Sequence, residues 1–118
     1  NTLMQTERIS RDTIVGGVCV YLLIGLCFAV GYILLTDLDP GALHEHGQPF
    51  VRASADQSSH ASTLLYFSFV TLTTLGYGDI KPGGQLRFLA GMEAITGLSL
   101  ITWSASFMFM EMMKFWEE

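Results

Sequence analysis

The sequence has few charged residues, and most of those it has are acidic. Only 14% of its 118 residues are charged and 50% are hydrophobic, whereas typical soluble domains carry about 25% charged residues. Such a low fraction of charged residues excludes an ordinary soluble domain of this size, and the high fraction of hydrophobic residues excludes a disordered chain. With six Lys and Arg against eleven Asp and Glu, the chain lacks the basic patch that nucleic-acid binding requires. The composition therefore indicates one small domain in a membrane.

Cysteine is also scarce. Cys19 and Cys27 lie eight residues apart in the same apolar run, which is roughly 12 Å along a helix axis. They cannot form a disulfide with each other at that separation. We interpret both as small apolar side chains, and they say nothing about the redox compartment.

Two long apolar runs are present. Residues 13–36 contain no charged residue, and residues 88–110 contain only Glu93. Because a helix of roughly 20 residues crosses the ~30 Å hydrocarbon core of a bilayer, each run predicts a membrane-spanning helix. We place the second helix at residues 86–113. A chain of this length could not bury two such helices inside a soluble core.

The region between the spans has a polar part and a shorter apolar part. Residues 37–60 contain prolines, glycines and serines, which predict a loop outside the membrane. Residues 61–73 are apolar but too short to span, so they predict a half-crossing helix. Ser59 or Ser62 is the expected N-terminal cap of that helix.

Thr-Leu-Gly-Tyr-Gly, residues 74–78, follows the half-crossing helix directly. Irregular backbone at membrane depth is tolerated only where it is buried in protein or lines a water-filled cavity. Gly76 and Gly78 allow positive φ at alternate positions, which turns successive carbonyl groups toward the same side. Several copies around an axis would form rings of oxygen atoms that replace the water shell of a cation.

The sequence Thr-Thr-Leu-Gly-Tyr-Gly-Asp, residues 73–79, resembles the signature of two-transmembrane-helix, prokaryotic-type potassium channel pores. The usual filter of that family is Thr-Val-Gly-Tyr-Gly, and the order of the apolar segments matches as well. The resemblance implies an all-α membrane protein that forms a homotetrameric channel for passive K⁺ conduction, not an enzyme. K⁺ is the permeant ion, and no cofactor is expected. The implied parts of this single pore domain, residues 1–118, are a cytoplasmic or interfacial segment 1–12, an outer helix 13–36, an extracellular loop 37–60, a pore helix 61–73, a selectivity filter 74–78 and an inner helix 86–113.

The resemblance also assigns the filter residues. The main-chain oxygens of Thr74, Leu75, Gly76 and Tyr77, with the Thr74 hydroxyl, are the expected K⁺ ligands, and Gly78 closes the outer mouth. Leu75 replaces the usual valine, but only its carbonyl group would touch the ion.

Residues beside the filter are expected to support it. The resemblance implies a hydrogen bond from the Tyr66 hydroxyl to the Asp79 carboxylate of the same or an adjacent subunit. Some bacterial channels have a pore-helix glutamate behind the filter, where this chain has Val70. The buried carboxyl pair of those channels is therefore expected to be absent.

The inner helix is expected to supply the cavity and the gate. Gly97 is either a hinge or a site of close helix packing. Glu93 is expected to point away from the cavity and to brace the pore helix or the outer helix, with a proton sensor as the alternative. One helical face either lines the cavity, with Phe109 or Met112 as the constriction, or forms ordinary bundle core. That face consists of Leu98, Ile101, Thr102, Ala105, Phe109 and Met112.

The orientation rests on the resemblance. Three basic residues lie near the termini and three lie between the spans, so the positive-inside rule does not decide it. The resemblance places both termini in the cytoplasm and the chain in the cell membrane, surrounded by lipid. A regulatory domain or segment outside this chain is a further expected partner, since some family members carry one after the inner helix.

Three other interpretations remain open. A potassium transporter would string four such repeats together and usually keeps one filter glycine. A non-selective or Na⁺-permeable cation channel would share the fold, although Tyr77 between the glycines disfavours it. A non-conducting membrane assembly subunit would need only the two spans.

Overall fold

The computed structural model describes residues 11–49 and 57–117. The described part contains helices α1 (Arg11–Leu38), α2 (Gln57–Leu72) and α3 (Leu86–Glu117). It also contains the short strands β1 (Leu43–Glu45), β2 (Gln48–Pro49) and β3 (Ile80–Pro82). The predicted class, a mostly helical chain with two candidate spans, is confirmed.

Helices α1 and α3 are both long and apolar enough to cross a membrane. Their 28 and 32 residues exceed the roughly 20 that a span requires. Many of their large apolar side chains face outward, and Leu23 and Leu34, for example, are 58% and 60% exposed. Such a surface suits lipid and not water, so the chain is a membrane protein with two spans.

Helix α2 begins before the apolar run that predicted it. It starts at Gln57, so Ser59 and Ser62 lie inside the helix and the prediction that either one caps it is wrong. The Ser62 hydroxyl donates to the Ser59 carbonyl at 3.0 Å, as serine does within a helix. The first turn of α2 is polar, and hydrophobicity alone could not reveal it.

A small antiparallel sheet of order β2-β1-β3 joins the polar loop to the residues that follow segment 74–78. The β1–β2 hairpin turns through His46 and Gly47, which have φ of 51° and 81°, the left-handed values of a tight hairpin turn. The His46 N–H donates to the Asp79 carbonyl at 3.0 Å. The sequence did not predict this sheet, because strands of two or three residues are too short to show an alternating pattern.

The core lies where α1, α2 and the start of α3 meet. Its buried side chains include Leu64 and Leu86, and the rings of Tyr32 and Phe67 meet edge to face, with centroids 5.0 Å apart. Beyond residue 100, nearly all side chains of α3 are exposed. The first half of α3 therefore belongs to the core, and its second half extends away from it.

Two glycines bring the helices close together around the end of α2. A Cβ at Gly25 of α1 would lie 2.8 Å from the Phe69 ring and 3.1 Å from a Leu72 methyl group. A Cβ at Gly97 of α3 would overlap the main-chain carbonyl oxygen of Leu72. Small residues at such contacts let helix backbones approach each other in a membrane.

Gly97 therefore has a packing function in this fold. Helix α3 continues through it without interruption, and the contact with Leu72 supplies the physical reason for a glycine. The close-packing interpretation of Gly97 thus has a geometric basis, while its use as a hinge stays a prediction.

We predict that Gly97→Ala destabilises the protein by about 1–3 kcal/mol, the usual cost of overpacking. The added methyl group would meet backbone, which cannot rotate away. Gly91→Ala is the matched control, because it lies in the same helix and a Cβ there meets nothing within 4 Å. Thermal unfolding in detergent should rank Gly97→Ala well below Gly91→Ala, and equal stability would contradict the packing function.

Candidate functional site

Segment 74–78 has left-handed backbone at alternate residues. Thr74, Gly76 and Gly78 have φ of 60°, 53° and 79°. The prediction of positive φ at the two glycines is confirmed. The sequence did not indicate a positive φ at Thr74, because a β-branched residue rarely adopts this conformation. Such strain is found mostly where function requires it.

The end of helix α2 explains the conformation of Thr74. The Thr74 N–H donates to the Thr71 carbonyl at 3.0 Å, and the Leu75 N–H donates to the Val70 carbonyl at 3.0 Å. These two bonds form a Schellman motif, in which the residue after the helix is left-handed and satisfies the last carbonyl groups. Thr74 occupies the position that is usually glycine.

The Val70 carbonyl accepts two N–H groups from the segment. Besides Leu75, the Gly76 N–H donates to it at 3.3 Å. Each peptide unit is planar and trans, so its carbonyl points opposite to its N–H. The carbonyls of Thr74 and Leu75 therefore both point away from α2. An extended strand would instead alternate them.

The same segment lies on the surface of the single chain. The side chains of Leu75 and Tyr77 are 54% and 67% exposed. A Cβ at Gly76 or Gly78 would meet no atom within 4 Å. The structure therefore leaves space beside the segment for other molecules or other copies of the chain.

The far end of the segment is held by Asp79. The Tyr66 hydroxyl donates to Asp79 Oδ2 at 2.9 Å, and the Ile80 N–H donates to Asp79 Oδ1 at 3.0 Å. The hydrogen bond to the carboxylate raises the pKa of the Tyr66 hydroxyl. The expected pairing is thus present within one chain, and its part in supporting a filter stays a prediction.

Glu93 lies at the junction of all three helices. It is fully buried, and its Oε2 accepts a hydrogen bond from the Tyr32 hydroxyl of α1 at 2.5 Å. Its Oε1 is hydrogen-bonded to the Ser68 hydroxyl of α2. Glu93 therefore contacts both of the helices that it was expected to brace. Tyr32 and Ser68 were not predicted as partners of Glu93, although a polar residue within an apolar run is a signal that could have identified them.

The predicted cavity face of α3 is exposed along its length. Thr102 Oγ1 donates to the Leu98 carbonyl of the preceding turn at 2.8 Å, which leaves an apolar surface facing outward. No helix within residues 11–49 and 57–117 lies across from this surface, so its place in a cavity stays a prediction. The exposed residues are Leu98, Ile101, Thr102, Ala105, Phe109 and Met112.

Cation binding by side chains has no support in the described residues. Within residues 11–49 and 57–117, no three His, Cys, Asp or Glu side chains are grouped so that they could hold a metal ion. The oxygen atoms that the fold does turn to one side belong to the main chain of segment 74–78.

Comparison with known proteins identifies the family of the chain. The model of a family described as "Ion channel" matches residues 20–114, which extend from α1 through α2 and segment 74–78 into the last turn of α3. Protein LctB of Bacillus caldotenax is 36% identical over 95 residues, which cover 80% of this chain and 69% of that protein. Protein LctB of Geobacillus stearothermophilus is 31% identical over 96 residues, 81% of this chain and 69% of that protein.

No solved structure matches the chain significantly. The family match nevertheless covers most of both spans, together with helix α2 and the left-handed segment that follows it. The chain therefore belongs to the ion channel family and has the pore fold with two membrane-spanning helices.

Proposed function

We propose that the chain forms a K⁺-selective pore as a homotetramer and conducts K⁺ passively. The observation that supports this most is the double hydrogen bond to the Val70 carbonyl. Because it holds the N–H groups of Leu75 and Gly76 toward α2, it turns the carbonyls of Thr74 and Leu75 away from the helix. These carbonyls are the first two of the main-chain ligands that the resemblance assigns to K⁺, and Gly76 and Tyr77 supply the others.

Four copies are proposed because one chain offers only one oxygen atom in each layer. Around a fourfold axis, each layer becomes a ring of carbonyl oxygens that replaces the hydration shell of K⁺. The exposed surface of segment 74–78 and the unpaired second half of α3 provide contacts for the other copies. Several K⁺ ions would occupy the filter in single file, and each arriving ion would displace the next. The binding of each ion then stays weak enough for it to leave.

The negative end of helix α2 is expected to attract cations. The helix ends at Leu72, two residues before Thr74, and the C-terminal end of a helix carries a partial negative charge. Four such ends around an axis would stabilise a cation waiting below the filter. The proposed orientation places this end toward the cytoplasm and Gly78 at the outer mouth, with both termini inside.

The gate is proposed on the exposed face of α3. Four copies of Phe109 or Met112 would form a narrow apolar ring, and such rings can close a pore by excluding water. Thr102 lies on the same face, with its hydroxyl group hydrogen-bonded to the Leu98 carbonyl.

The first prediction is a reversal potential near the K⁺ equilibrium potential. The purified chain should be reconstituted in a planar bilayer with K⁺ on one side and Na⁺ on the other. A reversal potential near zero would identify a non-selective cation channel and contradict K⁺ selectivity. Absence of current from an assembled tetramer would instead identify a non-conducting membrane subunit.

The second prediction concerns Gly76. Alanine at a positive φ costs roughly 1–2 kcal/mol, so Gly76→Ala should turn the carbonyls of the segment and abolish selective current. The fold of the single chain should persist, because a Cβ there meets no other atom of the chain within 4 Å. Gly16→Ala is the matched control, since Gly16 lies in α1 with open space around it and without a positive φ. Equal currents from both variants would contradict the filter assignment.

The third prediction concerns the outer support. Tyr66→Phe keeps the ring but removes the donor to Asp79, so the conducting state should decay faster during a sustained voltage step. Asp79→Asn retains an oxygen that can accept from Tyr66 and should have a smaller effect. Single-channel open times measure both variants, and unchanged open times in Tyr66→Phe would show that the hydrogen bond does not support the filter.

A further inference from the structure

Three hydrogen-bonded contacts form a chain through the centre of the fold. The Tyr32 hydroxyl contacts Glu93 Oε2 at 2.5 Å, Glu93 Oε1 contacts the Ser68 hydroxyl, and the Ser68 hydroxyl contacts the Gly25 carbonyl oxygen at 2.7 Å. The side chains of Tyr32, Ser68 and Glu93 are all 0% exposed. Within this buried cluster, each of the three oxygen pairs needs one proton between its atoms.

The two hydroxyl groups supply only two of the three protons. A tyrosine or serine hydroxyl donates one hydrogen bond, and a main-chain carbonyl donates none. Because Gly25 can only accept, the Ser68 proton belongs to that contact. Within residues 11–49 and 57–117, the Tyr32 hydroxyl has no hydrogen-bond partner besides Glu93 Oε2, so the Tyr32 proton belongs there. The contact between Ser68 and Glu93 Oε1 is left without a proton unless Glu93 provides it.

An ionised Glu93 would leave two oxygen atoms in contact without a hydrogen between them. It would also place a buried charge where no basic side chain of residues 11–49 and 57–117 forms an ion pair with it. The ionisable groups that face Glu93 are Tyr32 and Tyr21, both from α1. Neither supplies positive charge, and an unpaired buried carboxylate is costly.

We propose that Glu93 is a neutral carboxylic acid that donates its proton to the Ser68 hydroxyl. Every contact then has a proton: Tyr32 donates to Glu93, Glu93 donates to Ser68, and Ser68 donates to Gly25. This protonation state follows from the contacts alone and does not depend on which ion the pore conducts.

The hydrogen-bond chain gives Glu93 a positioning function. It links α3 to α1 through Tyr32 and to α2 through Ser68. Ser68 lies two residues before Val70, whose carbonyl holds the N–H groups of segment 74–78. Glu93 therefore fixes the part of α2 that sets the direction of the proposed K⁺ ligands. This second statement rests on the proposed function.

Glutamine can replace a neutral acid here but not an ionised one. Its amide N–H₂ can donate to Ser68 while its carbonyl accepts from Tyr32, so Glu93→Gln should preserve all three contacts. Glu93→Ala removes the acceptor of Tyr32 and the donor to Ser68, and should fail in assembly or stability.

Infrared spectroscopy of the whole chain in lipid nanodiscs tests the protonation directly. At neutral pH the chain should show the C=O stretching band of a protonated carboxylic acid, and Glu93→Gln should lose that band. Glu111→Gln is the matched control, because Glu111 lies on the same helix, is partly exposed and is paired with Lys114. Absence of the band from the unmodified chain, or its persistence in Glu93→Gln, would overturn the proposal.

Thermal stability measured over a pH series tests whether the stability of the protein depends on the proton of Glu93. Because ionisation removes the proton that joins Glu93 to Ser68, the stability of the unmodified chain should fall as pH rises. Glu93→Gln has no acid at this position, so its stability should not show this fall with rising pH. At neutral pH it should be about as stable as the unmodified chain. Parallel profiles, or a Glu93→Gln variant as unstable as Glu93→Ala, would overturn the proposal. Neither readout requires current, so a failure here is distinct from a failure of K⁺ selectivity.

Discussion

The main constraint on this structure is that irregular backbone between two membrane-spanning helices needs hydrogen-bond partners from the protein wherever lipid excludes water. Segment 74–78 meets the constraint at its start by turning two N–H groups onto one carbonyl, that of Val70. The last turn of α2 is capped by the same contacts, so helix termination and the direction of the Thr74 and Leu75 carbonyls have one cause. An ordinary helix end, satisfied by water, would leave those carbonyls free to alternate.

The position of α2 also matters, because the Thr74 and Leu75 carbonyls point away from this helix. The glycines of α1 and α3 allow the end of α2 to lie against both backbones, and the contacts of Glu93 with Tyr32 and Ser68 add polar links at the same junction. At the other end of the segment, Asp79 joins it to α2 through Tyr66 and to the small sheet through its own carbonyl. The segment is therefore held at both ends by groups of its own chain. Other copies are needed only to complete the rings that we propose.

Several features were predictable from the sequence because they depend on local chemistry. The two spans follow from long apolar runs with at most one charged residue, and the positive φ of Gly76 and Gly78 follows from the absence of a Cβ. The start of α2 was placed too late because its first turn is polar. The sheet was missed because its strands are too short for a pattern. The left-handed conformation of Thr74 was missed because it comes from the helix end that precedes it.

The sequence by itself thus determined which two helices span the membrane, which glycines can take a positive φ, and that Glu93 needs partners. Hydropathy and backbone freedom are properties of neighbouring residues, so no fold is required to read them. Only the tertiary structure decided which partners Glu93 has, why Gly97 must be small, and which carbonyl orients segment 74–78. Tyr32 and Glu93 are 61 residues apart, and Ser68 and Gly25 are 43 apart. Contacts at such separations depend on how the helices pack, and no local pattern encodes them.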